Sequence, residues 1–277
     1  MMKNMTLGIL LTFFLSLTFA CDKDKKKDIK EELPIFECFS LTPSKLSEII
    51  SSEDAGIKQA ILANPGEFLK LINEILAQPR ILYVLVDKSH ALSADYEPSD
   101  LKRLTDYGID VRPGREYLQM REIALPAILE MKQAAGKEGI KLVFSSTYRS
   151  YEYQANVYKY NVDTYGKEQA DRESAQPGKS QHQLGTTADF GSISDEFAKT
   201  PAGKWLNENA GNFGFSLSYP DGYEAVTGYR WESWHYRYIS QTGIKMQEAY
   251  FQGIQQYMLE FLNKYLDIFA EYKIVNG

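Results

Sequence analysis

Cysteine and histidine are the scarce residues of this chain, with two and three copies respectively among 277 residues. Two cysteines exclude a four-cysteine zinc module and a multi-bridge disulfide framework. Three histidines mean that any metal site must draw on them together with carboxylates. A basic excess is also missing: 31 Lys and Arg stand against 37 Asp and Glu, for a formal charge of −6. Gripping nucleic acid through its phosphates needs a basic face, so no nucleic-acid partner is expected. What is present is a folding composition, 44% hydrophobic, 25% charged and 13% aromatic, which is neither disordered nor fibrous. The length allows one large domain, or one medium domain with attached helical segments.

Residues Met1 to Ala20 read as an export signal. Lys3 supplies the positive start, and Leu7 to Ala20 is an apolar run of about 14 residues, too short to span a bilayer. The run stops at Ala20-Cys21 and gives way to the charged stretch Asp22–Asp28. A small residue before cysteine resembles the bacterial lipobox, where cleavage leaves a lipidated N-terminal cysteine, although Thr18 and Phe19 stand where that motif usually carries Leu and a small residue. The expectation is a lipid on Cys21 and attachment to a membrane, each buried methylene contributing about 0.8 kcal/mol. The alternative is an ordinary secretory signal with a chance cysteine, and both imply export. Cys38 is then a lone, partly buried thiol.

Residues 21–41 form a tether, with charges of both signs and no apolar period over Asp22–Glu32. Residues 42–80 read as an appendage of two or three short helices. Thr42-Pro43 is a good cap and first-turn pair, and Pro65 opens a second run with Phe68, Leu69, Leu71, Ile72, Ile75 and Leu76 at helical spacing. The main domain, 81–245, starts with a strand-like run, Ile81–Val86. A helix is expected over Glu116–Ala135, kinked or divided at Pro126, then a strand over Ile140–Phe144 and a helix over Tyr151–Tyr165. Further strands are expected near Thr187–Phe190, Phe215–Ser218 and Glu232–Tyr238. A helix or helix pair from about Lys245 to Tyr272 fills the C-terminal segment, 246–277. The fold class is α+β: a short central antiparallel sheet flanked by helices, with the N-terminal helical appendage and the C-terminal helix.

His182 and His235 lie in polar blocks, and Asp189 follows the first of them. Catalytic zinc commonly takes three N and O ligands and keeps a fourth position for water. His182, Asp189 and His235 would supply that set, and Glu232, three positions before His235, would stand close enough to take a proton from water. Spacing alone leaves this beside the plainer reading, since an isolated Glu-x-x-His is common and a histidine among aromatics is usually structural. His90, in a turn-rich stretch, reads as a surface or structural residue.

Three blocks carry a resemblance: Ser146-Thr147-Tyr148-Arg149-Ser150-Tyr151 with Gln154, Ser180-Gln181-His182-Gln183-Leu184-Gly185 with Asp189, and Glu232-Ser233-Trp234-His235-Tyr236-Arg237-Tyr238. Their order and spacing resemble the VanY-type D-alanyl-D-alanine carboxypeptidases, within the wider metallopeptidase group that includes lysostaphin and the hedgehog amino-terminal domain. The likeness extends to Val84–Lys88, Ala94–Leu101, Asn212–Phe215 and Tyr219-Pro220, and so runs from about Tyr83 to Ile244.

The resemblance implies that His182, Asp189 and His235 are ligands of one Zn2+ ion, that Glu232 is the catalytic base, and that Arg149 polarises the substrate carbonyl. Gln154 and Ser180 match positions near the substrate's terminal residue. Tyr148, Trp234 and Arg237 would support the site or wall the pocket. Gln181 replaces a frequent glutamate and Ser233 a frequent proline, and neither change removes a ligand. The implied activity is zinc-dependent removal of a terminal D-alanine from a peptidoglycan stem peptide. An L,D-carboxypeptidase or a cross-link endopeptidase would use the same scaffold. A non-catalytic binding module fits less well beside Glu232 and Arg149, and an aromatic-rich structural lipoprotein leaves the three polar blocks unexplained.

Overall fold

The computed structural model describes residues 32–274, so the export signal and Cys21 lie outside the described residues. The helices near the start of the described chain form where the sequence supplies caps. In α1 (Pro43–Ile49) Thr42 Oγ1 accepts from the Lys45 amide at 3.3 Å, and in α2 (Ala55–Ala63) Asp54 Oδ1 accepts from Gly56 at 2.8 Å. Each contact satisfies an amide that the first helical turn otherwise leaves without a partner. Helix α3 (Pro65–Leu76) starts on a proline, whose missing N–H costs nothing there. The segment expected to form two or three short helices forms three.

The chain continues through β1 (Leu101–Arg103), β2 (Gln119–Arg121), α4 (Leu125–Lys137), β3 (Phe144–Ser146), α5 (Tyr151–Tyr165) and α6 (Lys167–Glu173). Then come β4 (Thr187–Phe190), α7 (Pro201–Asn209), β5 (Phe215–Leu217), α8 (Glu224–Thr227), β6 (His235–Tyr238), α9 (Ser240–Tyr250) and α10 (Gln255–Glu271). Strands β3, β4, β6 and β5 form one antiparallel sheet in that order, and β1 pairs with β2 in a separate ribbon. The architecture is α+β, a short antiparallel sheet among helices.

Three expected elements come out differently. Ile81–Val86 is not a strand: Arg80–Tyr83 makes a 3₁₀ turn, and the Leu82 and Val84 carbonyls accept from Arg237 Nη2 at 3.1 and 2.8 Å. A side chain satisfies these carbonyls, so no neighbouring strand is needed. The helix expected from Glu116 begins at Leu125, because Pro126 is tolerated only in a first turn, and Gln119–Arg121 pairs with β1 instead. The strand expected over Ile140–Phe144 retains only Phe144 and continues to Ser146.

Two hydrophobic clusters hold the described chain. One gathers α1, α2, α3, α9 and α10 with Leu82, Tyr83 and Leu85, so that helices from both ends share a core. Within it Phe68 meets the rings of Tyr250, Phe261 and Phe269 edge-on, at centroid distances of 5.2, 5.8 and 5.6 Å. The other lies beneath the four-stranded sheet, where Phe144, Ala188, Phe190 and Tyr236 pack on Met131, Trp205 and Leu206. From Leu33 on, the described chain forms one compact unit. Strand alternation sends Ala188, Phe190 and Tyr236 into this core and leaves Thr187, Asp189, His235 and Arg237 to the opposite face.

Replacing Phe68 with Ala, at the centre of the helical cluster, is expected to cost about 3–5 kcal/mol of stability. Urea unfolding of the two proteins measures it, and a loss below about 1 kcal/mol would contradict this packing.

Candidate metal centre

The pairing of β4 with β6 sets Asp189 directly opposite His235. His182 arrives from a 3₁₀ turn, Gln181–Leu184, capped by Ser180, whose Oγ accepts from the His182 amide at 3.3 Å. This turn ends on Gly185 at φ +75°, where a Cβ would stand 2.9 Å from the Arg121 side chain. Glycine is therefore required for both conformation and space.

Each candidate ligand presents one atom to a common point. His182 holds its Nδ1 2.7 Å from the Thr147 carbonyl, which fixes the ring with Nε2 free to ligate. Nε2 lies 3.2 Å from Asp189 Oδ2, and His235 Nδ1 lies 3.1 Å from Asp189 Oδ1. Despite these distances, His182 Nε2 and Asp189 Oδ1 are buried without a hydrogen-bond partner. The ligating atoms of His182, Asp189 and His235 all lie within 4.8 Å of one another. Two imidazole nitrogens and a carboxylate converging in this way, with two atoms unsatisfied, fit a tetrahedral ion with one position left open.

Electrostatics point the same way. Burial, and then the Arg149 charge, lower the His182 pKa to about 4, leaving the neutral ring that a ligand must be. Burial also acts to lower His235, but hydrogen bonds to Asp189 and Glu232 outweigh it and lift its pKa to about 9. The two buried carboxylates thus favour positive charge at the centre of the cluster. Burial raises the Glu232 carboxyl above its usual value, as suits a group that must take and return a proton.

Glu232 Oε2 stands 3.3 Å from His235 Nδ1. Arg149 is held on three sides: Nη2 donates to Asp189 Oδ2, Nη1 to Gln154 Oε1 and Nε to Ser146 Oγ, each at 2.9 Å. His182, Asp189, His235, Glu232, Arg149, Ser180 and Trp234 all line one cavity of about 330 Å³. Gln154 and Tyr148 do not line it. Gln154 is buried and aims Arg149 while donating to the Ala175 carbonyl at 2.7 Å. The Tyr148 amide ties the block to β2 through the Gln119 carbonyl. Arg237 lies behind the site, fully buried, and His90 is exposed beside Asp87, the surface role expected of it.

Several supporting residues escaped the sequence reading. Ser146 and Thr147 orient Arg149 and His182; they belong to the recognised block but carry no chemistry of their own to mark them. Tyr219 packs against His235 with the rings tilted at 42° and 4.7 Å between centroids. Gln181, noted only as a departure from the family, sets its Oε1 3.4 Å from His235 Nε2 and accepts from Ser218 Oγ at 2.8 Å.

The chain is similar to known proteins. The family model for VanY, D-alanyl-D-alanine carboxypeptidase, matches residues 117–241. The chain is 33% identical over 196 residues to YodJ of Bacillus subtilis (strain 168), named as a candidate carboxypeptidase, an alignment covering 66% of this chain and 71% of that protein. This chain belongs to the VanY-type D-alanyl-D-alanine carboxypeptidase family. It is a carboxypeptidase, and so a hydrolase. A D-alanyl-D-alanine carboxypeptidase of Enterococcus faecalis (strain ATCC 700802 / V583) is 30% identical over 191 residues, covering 65% of each chain. Among solved structures, the LdcB LD-carboxypeptidase superposes with a TM-score of 0.58 at 33% identity, over 65% of this chain and 86% of its own. A mutant of the vancomycin-resistance D,D-pentapeptidase VanY in complex with Zn(II) gives 0.54 at 26%, over 65% and 99%.

A divalent cation at one hundred times its Kd is expected to stabilise the protein by about 2.7 kcal/mol. His182→Ala should abolish this shift and lower the metal content measured after dialysis. An undiminished shift in that variant would place the cation elsewhere.

Proposed function

We propose that this chain is a zinc-dependent carboxypeptidase that removes the terminal D-alanine from peptidoglycan stem peptides. The observation that carries the reading is the convergence of His182 Nε2, Asp189 and His235 Nδ1 on one point, with Glu232 and Arg149 on the wall of the same cavity. The three ligands would hold one Zn2+ ion, which when bound polarises a carbonyl and acidifies water.

The remaining work falls to side chains of this chain. Glu232 takes a proton from the attacking water, and its raised pKa lets it deliver that proton to the leaving amine. Arg149 presents its guanidinium where negative charge develops on the substrate oxygen. Its three hydrogen bonds fix its direction before substrate arrives. Ser180 and Trp234 wall the cavity beside the substrate's end. Gln154 acts through Arg149, and Tyr148 through the backbone it anchors.

The choice of D-alanine draws support from the VanY relative solved with D-alanine-D-alanine, which is 28% identical with a TM-score of 0.52. A second reading, cleavage of an L,D bond in a tetrapeptide stem, is favoured by the higher identity and TM-score shared with the LdcB LD-carboxypeptidase. We assign the peptidase domain to residues 81–245 and the adjoining 42–80 and 246–277 to helical segments. Work outside the cytoplasm follows from the substrate, with residues 1–20 as export signal and Cys21 as lipid anchor. No described helix is long and apolar enough to cross a membrane.

Glu232→Gln is expected to lower kcat by about 10²–10⁴-fold while the protein still binds its cation. Retained turnover would remove Glu232 from the mechanism. Incubation with defined penta- and tetrapeptide stems, read by product mass, separates the D,D from the L,D reading.

A further inference from the structure

Three guanidinium groups line the catalytic cavity: those of Arg115, Arg149 and Arg230. Two of them face carboxylates. Arg149 donates to Asp189 at 2.9 Å, and Arg230 reaches Glu173 at 3.3 Å and Asp195 at 2.8 Å. Arg115 differs. Its Nη1 donates to the phenol oxygens of Tyr117 and Tyr153, the latter at 3.2 Å, and it has no ion pair among the described residues. Phenols accept hydrogen bonds without supplying a carboxylate charge, so the Arg115 charge stands uncompensated at the cavity wall. Arg115 is partly buried, and the hydrogen bonds its side chain makes among the described residues all leave from Nη1. The Nε and Nη2 edge, free of them, is the fork that receives a carboxylate through two parallel hydrogen bonds.

The group is also held in position. The Arg115 amide donates to the Arg112 carbonyl at 2.9 Å, and the Arg115 carbonyl accepts from the Leu118 amide at 3.0 Å, closing a tight turn ahead of β2. Its phenol partner Tyr153 sits in the first turn of α5, where Ser150 Oγ caps the Tyr153 amide at 3.1 Å. The next residue, Gln154, orients Arg149 at 2.9 Å. One capped helical turn therefore sets two guanidinium groups against the same cavity, one committed to Asp189 and one open.

We propose that Arg115, held between Tyr117 and Tyr153, is a binding residue for a carboxylate of the peptide substrate. The inference deepens the carboxypeptidase reading and rests on it. Two sources share this chemistry: the terminal carboxylate on the residue to be released, and a carboxylate within the stem.

Steady-state kinetics of Arg115→Gln and Arg115→Lys test it, using stem peptides with their internal carboxylates free and the same peptides with those groups amidated. Arg115→Gln is expected to raise KM about tenfold or more for the free-acid peptide with kcat unchanged. Arg115→Lys should recover part of the loss, keeping the charge without the fork. If the stem supplies the carboxylate, the rise disappears with the amidated peptide. If the terminal residue supplies it, the rise persists there and product inhibition by free D-alanine weakens in parallel. An unchanged KM with both peptides overturns the inference, as does a rise in both without weaker D-alanine inhibition. If the wild-type enzyme cleaves neither peptide, the carboxypeptidase reading itself fails and the inference falls with it.

Discussion

One strand pairing governs the site. The antiparallel register of β4 on β6 places Asp189 opposite His235 and Thr187 opposite Arg237, all on the face away from the aromatic core. Side chains alternate along a strand, so a slip of one residue in β6 would turn His235 toward Phe190 and Trp205 and bring Tyr236 to the cluster. The apolar partners on the other face make that slip costly. Packing beneath the sheet therefore enforces the arrangement of side chains above it, and the turn with His182 need only be closed by Gly185 for the candidate metal cluster to be complete.

The second constraint is buried charge. Asp189, Glu232, His182 and His235 are nearly sealed from solvent, and Arg149 joins Asp189 across the edge of the cavity. Unpaired, these groups would cost the fold several kcal/mol. They are tolerated because each has a neighbour of fixed position: Thr147 behind His182, Gln181 behind His235, Ser146 and Gln154 behind Arg149, Arg149 beside Asp189 and His235 beside Glu232. The same contacts that make the burial tolerable also fix direction, so that stability and preorganisation come from one set of hydrogen bonds.

Legibility in the sequence follows the range of the physics. Local signals were readable: the Thr42 cap, the proline opening of α3, and the whole of α5 from Tyr151 to Tyr165. The residues of the metal cluster were readable through linked polar blocks, although spacing alone left them beside a structural interpretation. What escaped depends on distant partners. Ile81–Val86 has the composition of a strand, but its carbonyls are taken by a guanidinium more than 150 positions away. Glu116–Ala135 has helical apolar spacing, yet its first half is drawn into the ribbon with β1. Arg115 carries no motif, and only the fold shows that it faces the cavity without a carboxylate.

Arg237 has a consequence for the architecture as a whole. Its guanidinium is wholly enclosed, donates to Leu82 and Val84, and keeps Nε and Nη1 without partners. Those two carbonyls belong to the segment that also contributes Leu82, Tyr83 and Leu85 to the helical core. Withdrawing that segment would strand a cation in an apolar interior two residues along the same strand from His235. Losing the Leu82–Leu85 segment is therefore not a silent edit, since the rivet that fastens it is anchored in the strand that carries His235.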